Sequence, residues 1–304
     1  MTRFRSILIG SVTSTKIVFD EMMRLGCLPE AVFALSAEAS KNVSGFFPMG
    51  PYAAGQGVES VEFTKINAPE HIDRIKQIAP DFIFVIGLSQ LISDEIVTAA
   101  KEYCIGLHPT KLPENRGRAA IPWQIILGVR ESALTLFKLD SGMDTGDILV
   151  QEPYIIQPDD YASDVHERID TAIAAAAGKA LPAIMNGTAA FHKQKDEDAT
   201  YLLIRRPEDG KIQWTDSPEN IHALIRGTSK PYPGAFCYYG EAKITLWRAD
   251  LLNDTRFTGL PGQIAMVDGD KNPCVVVGDR LLRFTEYEVE GGTTAPFVVG
   301  KKFS

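Results

Sequence analysis

The chain has 304 residues, of which 45% are hydrophobic, and a formal net charge of −8. This length allows two domains, and the composition supports a full core without metals or disulfides. The diffuse negative charge argues against a general binder of polyanions and leaves a local basic patch open. No two of the four cysteines form a C-x-x-C pair, which predicts buried free thiols and no metal site. The apolar run at the start is too short for a signal peptide or a membrane span, so we expect a cytoplasmic protein.

The first half of the chain alternates strand and helix patterns. In chain order these predict a strand at 5–10, a helix at 15–25, a strand at 31–35, a helix at 72–78 and a strand at 81–86. A helix capped by Ser93 and a strand at 103–107 follow. This βαβ rhythm predicts an α/β fold with a doubly wound, mostly parallel, Rossmann-like sheet, on which ligands bind beyond the carboxyl ends of the strands. The first strand–helix turn, GSVTSTK, lacks G-x-G-x-x-G, so no dinucleotide site is predicted there.

The second half changes character. Strands at 135–139 and 148–154 precede a long helix from about 163 to 185, for which Gly187 is a natural stop. Polar and charged residues then predict a linker at 191–211. Closely spaced β runs broken by glycine and proline predict a small antiparallel, OB-like β-barrel beyond it. The predicted domains are therefore residues 1–190 and 212–304.

Two features place chemically useful side chains at the strand ends of the first domain. His108 follows a strand, and Pro109 and Pro113 prevent that strand from continuing. Further along, three aspartates, among them Asp144, alternate with glycines in a loop between two strands. Such a loop can aim a carboxylate at the imidazole. Taken separately, a histidine beside a proline is usually structural, and a Gly/Asp-rich loop is usually only a turn.

Together the motifs resemble the folate-dependent, methionyl-tRNA formyltransferase-like family. The matches are His108, Leu112-Pro113, Arg116-Gly117 and the run GMDTGD at 142–147. The resemblance extends over nearly the whole chain, including the predicted barrel. It implies an enzyme that takes a formyl group from 10-formyltetrahydrofolate, with no metal.

The resemblance also implies where the folate binds. In the family the x-x-Leu-Pro turn lines the folate cleft, and the loop matching residues 86–92 holds the pterin ring. An apolar slot with a few backbone hydrogen bonds suits such a flat ring. The corresponding residues of this chain are Leu88, Leu91, Thr110, Lys111, Leu112 and Pro113.

Charge flow in the implied reaction assigns the catalytic roles. A neutral amine attacks the formyl carbon, His108 stabilises the oxyanion that develops, and Asp144 orients and charges the imidazole and helps to remove a proton. The family usually has Asn two residues before the histidine, where this chain has Gly106. Either an oxyanion donor is missing and activity is weak or lost, or water or another donor such as Asn115 replaces it. We expect retained activity.

The acceptor is suggested by residues outside this segment. The tRNA enzymes carry a basic loop after the second strand, whereas residues 34–60 here contain one lysine and no arginine for phosphate contacts. Residues 221–226, 230–236 and 243–247 resemble the sugar-nucleotide formyltransferases, although the tRNA enzymes share part of this pattern. Arg116 and Arg118 are candidate substrate-binding residues because a guanidinium suits a diphosphate or a sugar hydroxyl. A surface arginine without such a role is the alternative.

The sequence therefore predicts a sugar-nucleotide N-formyltransferase of surface glycan biosynthesis, with a UDP-linked amino sugar as the favoured acceptor. The resemblance to the sugar enzymes implies a homodimer, and nucleic acid or membrane partners are not expected. Three alternatives stay open: a methionyl-tRNA formyltransferase, a formyltetrahydrofolate hydrolase, and a non-catalytic folate- or nucleotide-binding protein, which would explain Gly106.

Overall fold

The computed structural model describes residues 4–41, 43–88, 90–292 and 296–304. Ser89, within the predicted folate loop, lies outside the described residues. The chain divides into two compact units. Unit 1 comprises residues 1–117, 131–155 and 167–202, and unit 2 comprises residues 118–130, 156–166 and 203–304.

Unit 1 is built on a seven-stranded sheet. Its strands are β1 (Ser6–Ile9), β2 (Ala31–Leu35), β3 (Glu59–Phe63), β4 (Phe82–Val85), β5 (Tyr103–His108), β7 (Glu131–Lys138) and β8 (Ile148–Ile155), in the order β3-β2-β1-β4-β5-β7-β8. The first five run parallel, and β7 and β8 are antiparallel to their neighbours. Because β1 is followed by β2 on one side and β4 lies on the other, the strand order reverses at β1 and β4, which is where ligands bind such sheets. The predicted doubly wound fold is confirmed.

In the described parts of the chain, seven α-helices accompany the sheets. Four of them and most of a fifth belong to unit 1, and the others belong to unit 2. The helix bounds are α1 (Thr13–Arg24), α2 (Met49–Gly55), α3 (Pro69–Ile78), α4 (Asp94–Val97), α5 (Ala120–Ile126), α6 (Ala162–Met185) and α7 (Pro218–Thr228). The 3.6-residue spacing predicted α1, α3 and α6, because each has a regular apolar face. At least one end of each helix was predicted to within about two residues. In α3 that face is Ile72, Ile75 and Ile78, all buried in the core against β1 and β2. The short α2, built from MGPYAAG, has no such period and was not predicted.

Unit 2 contains a five-stranded antiparallel sheet, as the sequence predicted. The strands are β10 (Ala235–Tyr239), β11 (Ala242–Leu252), β12 (Ile264–Val267), β13 (Pro273–Val277) and β14 (Arg280–Val289), in the order β10-β11-β14-β13-β12. Residues 301–304 join the two outer strands. Ser304 exchanges two backbone hydrogen bonds with Tyr238 of β10, and Lys301 accepts one from Ile264 of β12. The sheet thus closes around a core that includes Trp214, Phe284 and Phe303.

The segment predicted as a linker contains several short ordered elements. It forms 3₁₀ turns at Asp196–Asp198 and Pro207–Gly210, and its short strand β9 (Tyr201–Leu202) pairs in parallel with β6 (Arg116–Gly117). The ring of Phe191 lies 4.7 Å from that of Tyr103. Residues 118–130 and 156–166, which the sequence assigned to the first domain, belong to unit 2. Domain boundaries at 190 and 211 stay a prediction.

The four cysteines are free and buried. Burial raises the pKa of the Cys104 thiol to about 12, and it also raises the pKa of Cys237. Because the thiolate is the reactive form, a rise from 9.0 to about 12 lowers the reactive fraction of Cys104 about a thousandfold near pH 8. We expect a thiol reagent to titrate four cysteines at once in guanidinium and none rapidly in the native protein. Rapid modification of the Cys104 or Cys237 thiol without denaturant would contradict the packing described.

Within the described ranges, no helix combines the length and the apolar character needed to span a bilayer.

Candidate active site

His108 is the last residue of β5, at the carboxyl end of the parallel sheet, where it pairs with Thr135 of β7. Its side chain is buried, and both ring nitrogens face oxygen atoms. Nε2 lies 2.8 Å from the carbonyl oxygen of Asn115, and Nδ1 lies 3.6 Å from Oδ2 of Asp144. Both neighbours are acceptors, so a protonated ring can donate toward each of them. The structure therefore brings together the two residues that the sequence proposed as catalytic.

Asp144 lies in the loop between β7 and β8 in a left-handed backbone conformation, with φ of 54°. Its Oδ2 accepts a hydrogen bond from the backbone N–H of Gly117 at 2.8 Å, which turns the carboxylate toward the imidazole. At the start of the same loop, Asp140 Oδ1 accepts from the Gly142 N–H and the Thr145 hydroxyl. A Cβ at Gly146 would meet the carbonyl oxygen of Lys138 at 1.9 Å, so only glycine allows this approach. The glycines and aspartates of the motif therefore shape a loop that presents one carboxylate.

Side chains of β7 and β8 hold the turn after His108 through hydrogen bonds to its backbone. The Thr135 hydroxyl donates to the Thr110 carbonyl at 2.6 Å, the Gln151 amide donates to the Leu112 carbonyl at 2.8 Å, and the Tyr154 hydroxyl donates to the Pro109 carbonyl at 2.7 Å. Leu112 precedes a cis proline. These bonds fix the path of the backbone that the sequence assigned to the folate cleft.

The predicted folate residues of this turn differ in accessibility. The side chains of Thr110 and Leu112 are buried, and the Thr110 hydroxyl donates to the Glu114 carbonyl at 2.9 Å. Lys111 is exposed and Pro113 is half-buried. A ligand at this turn would therefore meet Lys111, Pro113 and the backbone, while Thr110 and Leu112 shape the turn from inside. Folate contact by all four stays a prediction.

The loop at 86–92 is anchored to the end of β3 by two amide side chains. Gln90 donates to the Thr64 carbonyl and accepts from the Ile66 N–H, and Asn67 donates to the Leu91 carbonyl. Leu88 packs against the core, whereas Leu91 is 78% exposed. An apolar side chain held in water by an anchored loop suits a flat ring. The residues present fit the predicted pterin contact at Leu91 in particular.

The two candidate substrate arginines have different environments. The Arg116 guanidinium is fully buried and is bound within unit 1 by Gln194, Asp196 and Tyr201. Arg118, in unit 2, is exposed. Arg116 therefore already has partners from its own chain, and a role in substrate binding stays a prediction for both residues.

Sequence reasoning missed the residues of the predicted linker that contact this segment. The Thr200 hydroxyl accepts from the Asn115 N–H at 2.8 Å, and the Gln194 amide donates to the carbonyls of Asp144 and Gly146, both at 2.7 Å. The run HKQKDEDAT is polar and lacks apolar periodicity, which is typical of a solvated connection. Its pairing partners lie about 50 to 85 residues earlier, so no local pattern indicates them.

Gly106 lies in β5 opposite Phe137, and its surroundings explain the absent side chain. A Cβ at this position would come within 2.5 Å of Leu139 Cδ2 and 3.4 Å of Phe137 Cε1. The leucine side chain thus occupies the space that an asparagine would need. The departure from the family pattern is a packed arrangement and not a cavity.

The comparisons with known proteins agree with this geometry. The family model for formyl transferase matches residues 48–182, and the model for the formyl transferase C-terminal domain matches residues 205–298. The chain is 32% identical over 247 residues to a methionyl-tRNA formyltransferase from Caldanaerobacter subterraneus subsp. tengcongensis, covering 81% of this chain and 79% of that protein. The chain therefore belongs to the formyltransferase family, as its motifs predicted, and it is a formyl-transfer enzyme.

Two solved structures share the fold. WlaRD, a sugar 3N-formyltransferase crystallised with dTDP and 5-N-formyl-THF, is 17% identical with a TM-score of 0.70 and covers 94% of this chain and 98% of its own. HypX from Aquifex aeolicus with tetrahydrofolic acid is 16% identical with a TM-score of 0.68 and covers 94% of this chain. The present chain spans only 44% of the HypX chain.

Proposed function

We propose that this enzyme transfers the formyl group of 10-formyltetrahydrofolate to the amine of a nucleotide-linked amino sugar. The observation that carries the formyl transfer is the pair formed by the buried His108 and the half-buried Asp144 at the carboxyl end of β5. We further propose that the enzyme acts in the cytoplasm on a sugar nucleotide of surface glycan biosynthesis, with UDP as the favoured nucleotide, and that it forms a homodimer.

The residues divide the work of the reaction as follows. A protonated His108 supplies positive charge next to the formyl oxygen, where negative charge develops as the amine attacks. Asp144 holds the ring through Nδ1 and balances its charge. As the amine bonds to the formyl carbon, the Asp144 carboxylate accepts the proton that the amine loses, and it returns this proton to N10 of tetrahydrofolate when the bond between N10 and the formyl carbon breaks. The Nδ1–Oδ2 distance of 3.6 Å exceeds a full hydrogen bond, and such contacts tighten when substrate excludes water.

The donor site proposed for the folate combines the Lys111–Pro113 turn with the loop that carries Leu91. Both backbones are fixed by side-chain amides, from Gln151 on one side and Gln90 and Asn67 on the other. A fixed backbone presents its remaining polar groups in one geometry, which is what recognition of a pterin edge requires. WlaRD, with its bound 5-N-formyl-THF, and HypX, with tetrahydrofolic acid, support this choice of donor.

The choice of a sugar nucleotide rests on charge. The segment between β2 and β3 offers Lys41 as its only lysine or arginine and carries Glu38 as well. A tRNA acceptor stem is held mainly through its phosphates, which need several cations. The exposed Arg118 suits a single diphosphate. WlaRD, a sugar N-formyltransferase of nearly the same length, supports the same class.

A methionyl-tRNA formyltransferase is the second candidate, because the curated relative at 32% identity carries that name. The deciding experiment mixes the purified protein with 10-formyltetrahydrofolate and, separately, UDP-, dTDP- and GDP-linked amino sugars, charged initiator tRNA, or no acceptor. We expect formylation of at least one sugar nucleotide and none of the tRNA.

The other outcomes of that panel each contradict the proposal in a different way. Formylation of tRNA alone would establish the second candidate. Folate turnover without acceptor would indicate a hydrolase, and folate binding without any turnover a non-catalytic protein. Among productive sugars, a dTDP or GDP substrate in place of UDP would correct the nucleotide without changing the class.

A further inference from the structure

Arg116 is the largest fully buried side chain of the described residues, and its guanidinium is bound by side chains of residues 194–201. Its Nε and Nη2 both donate to Gln194 Oε1, at 3.1 and 2.9 Å. Nη1 donates to the Tyr201 hydroxyl at 3.1 Å, and Nη2 also donates to Asp196 Oδ1 at 3.0 Å. Burying a cation is costly unless its donors are satisfied, so these bonds define one position for the Gln194 amide oxygen.

The other end of the Gln194 amide points at the candidate catalytic loop. Its Nε2 donates to the carbonyl oxygens of Asp144 and Gly146, both at 2.7 Å. A guanidinium on the amide oxygen polarises the amide and strengthens its N–H donors. A continuous chain of hydrogen bonds thus runs from Arg116 through Gln194 to the backbone of Asp144.

Asp144 needs such support because its backbone is strained. A residue other than glycine with φ of 54° lies in the left-handed region, and surrounding contacts must hold it there. The Gly117 N–H holds the carboxylate at 2.8 Å, and Gly117 directly follows Arg116. The same short segment therefore fixes the carboxylate directly and the carbonyl through Gln194.

We propose that Gln194 and Arg116 are positioning residues that hold Asp144 in line with His108. This inference rests on the proposed function, because it gives Asp144 its catalytic role. It also gives a role to the polar run at 191–202, which supports the loop that carries Asp144 through the Gln194 side chain.

The test compares Gln194→Met, which keeps the volume and removes the amide, with Gln194→Glu, which keeps an acceptor for Arg116 and loses the donor. Gln77→Met, on the exposed face of α3, is the matched control. We expect both Gln194 variants to lower kcat about 10- to 100-fold with little change in KM, because a small misplacement of a catalytic group has an effect of that size. The control should match the wild type.

A double-mutant cycle with Asp144→Ala separates positioning from general damage. If Gln194 acts through Asp144, Gln194→Met should change kcat less than twofold in the Asp144→Ala background. Amide hydrogen exchange gives a second readout that needs no activity, and the Gln194→Met variant should exchange faster in residues 139–147 than the wild type. An equal loss of kcat in both backgrounds, or unchanged exchange in this loop, would overturn the proposal.

The cycle uses whichever acceptor the wild-type enzyme accepts in the panel described above. A wild type that formylates no sugar would refute the proposed acceptor, while the exchange measurement would still decide the positioning role. Arg116→Lys gives a supporting comparison, because it keeps the charge and loses the planar fork. It should resemble Gln194→Met in kcat.

Discussion

Replacing His108 by glutamine should lower kcat for formyl transfer by about 10²- to 10³-fold, because it removes a positive charge next to the developing oxyanion, and losing one preformed electrostatic stabiliser has an effect of this order. The glutamine amide reaches about as far as Nε2 and can still donate to the Asn115 carbonyl, which accepts from Nε2 at 2.8 Å in the wild type, so the fold should survive. Asp144→Asn should reduce kcat similarly, since an amide of the same size cannot balance an imidazolium. The measurement is steady-state formyl transfer with a saturating acceptor.

The two effects should not add. Because His108 and Asp144 act as one unit, the double variant should be no more than a few-fold slower than the slower single variant. Circular dichroism and thermal melting serve as controls for folding. A double variant whose loss equals the product of the single losses would show that the two residues act independently, contrary to the mechanism proposed here.

Gly106→Asn, which restores the residue usual in the family, should destabilise this protein and not improve it. Its Cβ would lie 2.5 Å from Leu139 Cδ2 inside a buried strand. Overpacking of this kind lowers the free energy of unfolding by about 1–3 kcal/mol. Denaturant titration measures the loss, and Gly55→Asn, where the added Cβ meets no atom within 4 Å apart from its chain neighbours and the backbone of its own helix, is the matched control.

Leu139→Ala should relieve the clash. In the Gly106→Asn/Leu139→Ala double variant, the loss of unfolding free energy should be smaller than the sum of the losses in the two single variants, because the two side chains compete for one space. Its kcat should exceed that of Leu139→Ala alone if the amide then reaches the formyl oxygen. Additive losses of stability would show that Leu139 is not the residue that excludes a side chain at position 106.

The sequence predicted those parts of the molecule whose pattern is local. The parallel strands are short apolar runs, and α6 has a regular apolar face, so both were located from spacing. His108 and Asp144 were found because the motifs that contain them keep a fixed order along the chain. Their approach to 3.6 Å depends on the loop after β7. This strand runs antiparallel to β5 and ends at Lys138, opposite Ile105, so the loop must turn back to bring Asp144 to His108.

What could not be predicted depends on partners distant in sequence. Arg116 is a surface candidate by composition, and only the fold shows that Gln194 and Asp196 enclose it. The linker prediction followed from polarity, which describes the exposed side of residues 191–202 but not their contacts with β6. The reason for Gly106 lies in Leu139, 33 residues away, whose side-chain direction no periodicity specifies.

The closure of the C-terminal sheet by residues 301–304 bears on how two copies of the chain would meet. Outer strands with free N–H and C=O groups invite strand addition by another molecule. Here Ser304 takes up the edge of β10 at Tyr238, and residues 300–303 take up the edge of β12 around Ile264. A homodimer of this enzyme would therefore join through side-chain surfaces and not by extending this sheet from one copy into the next.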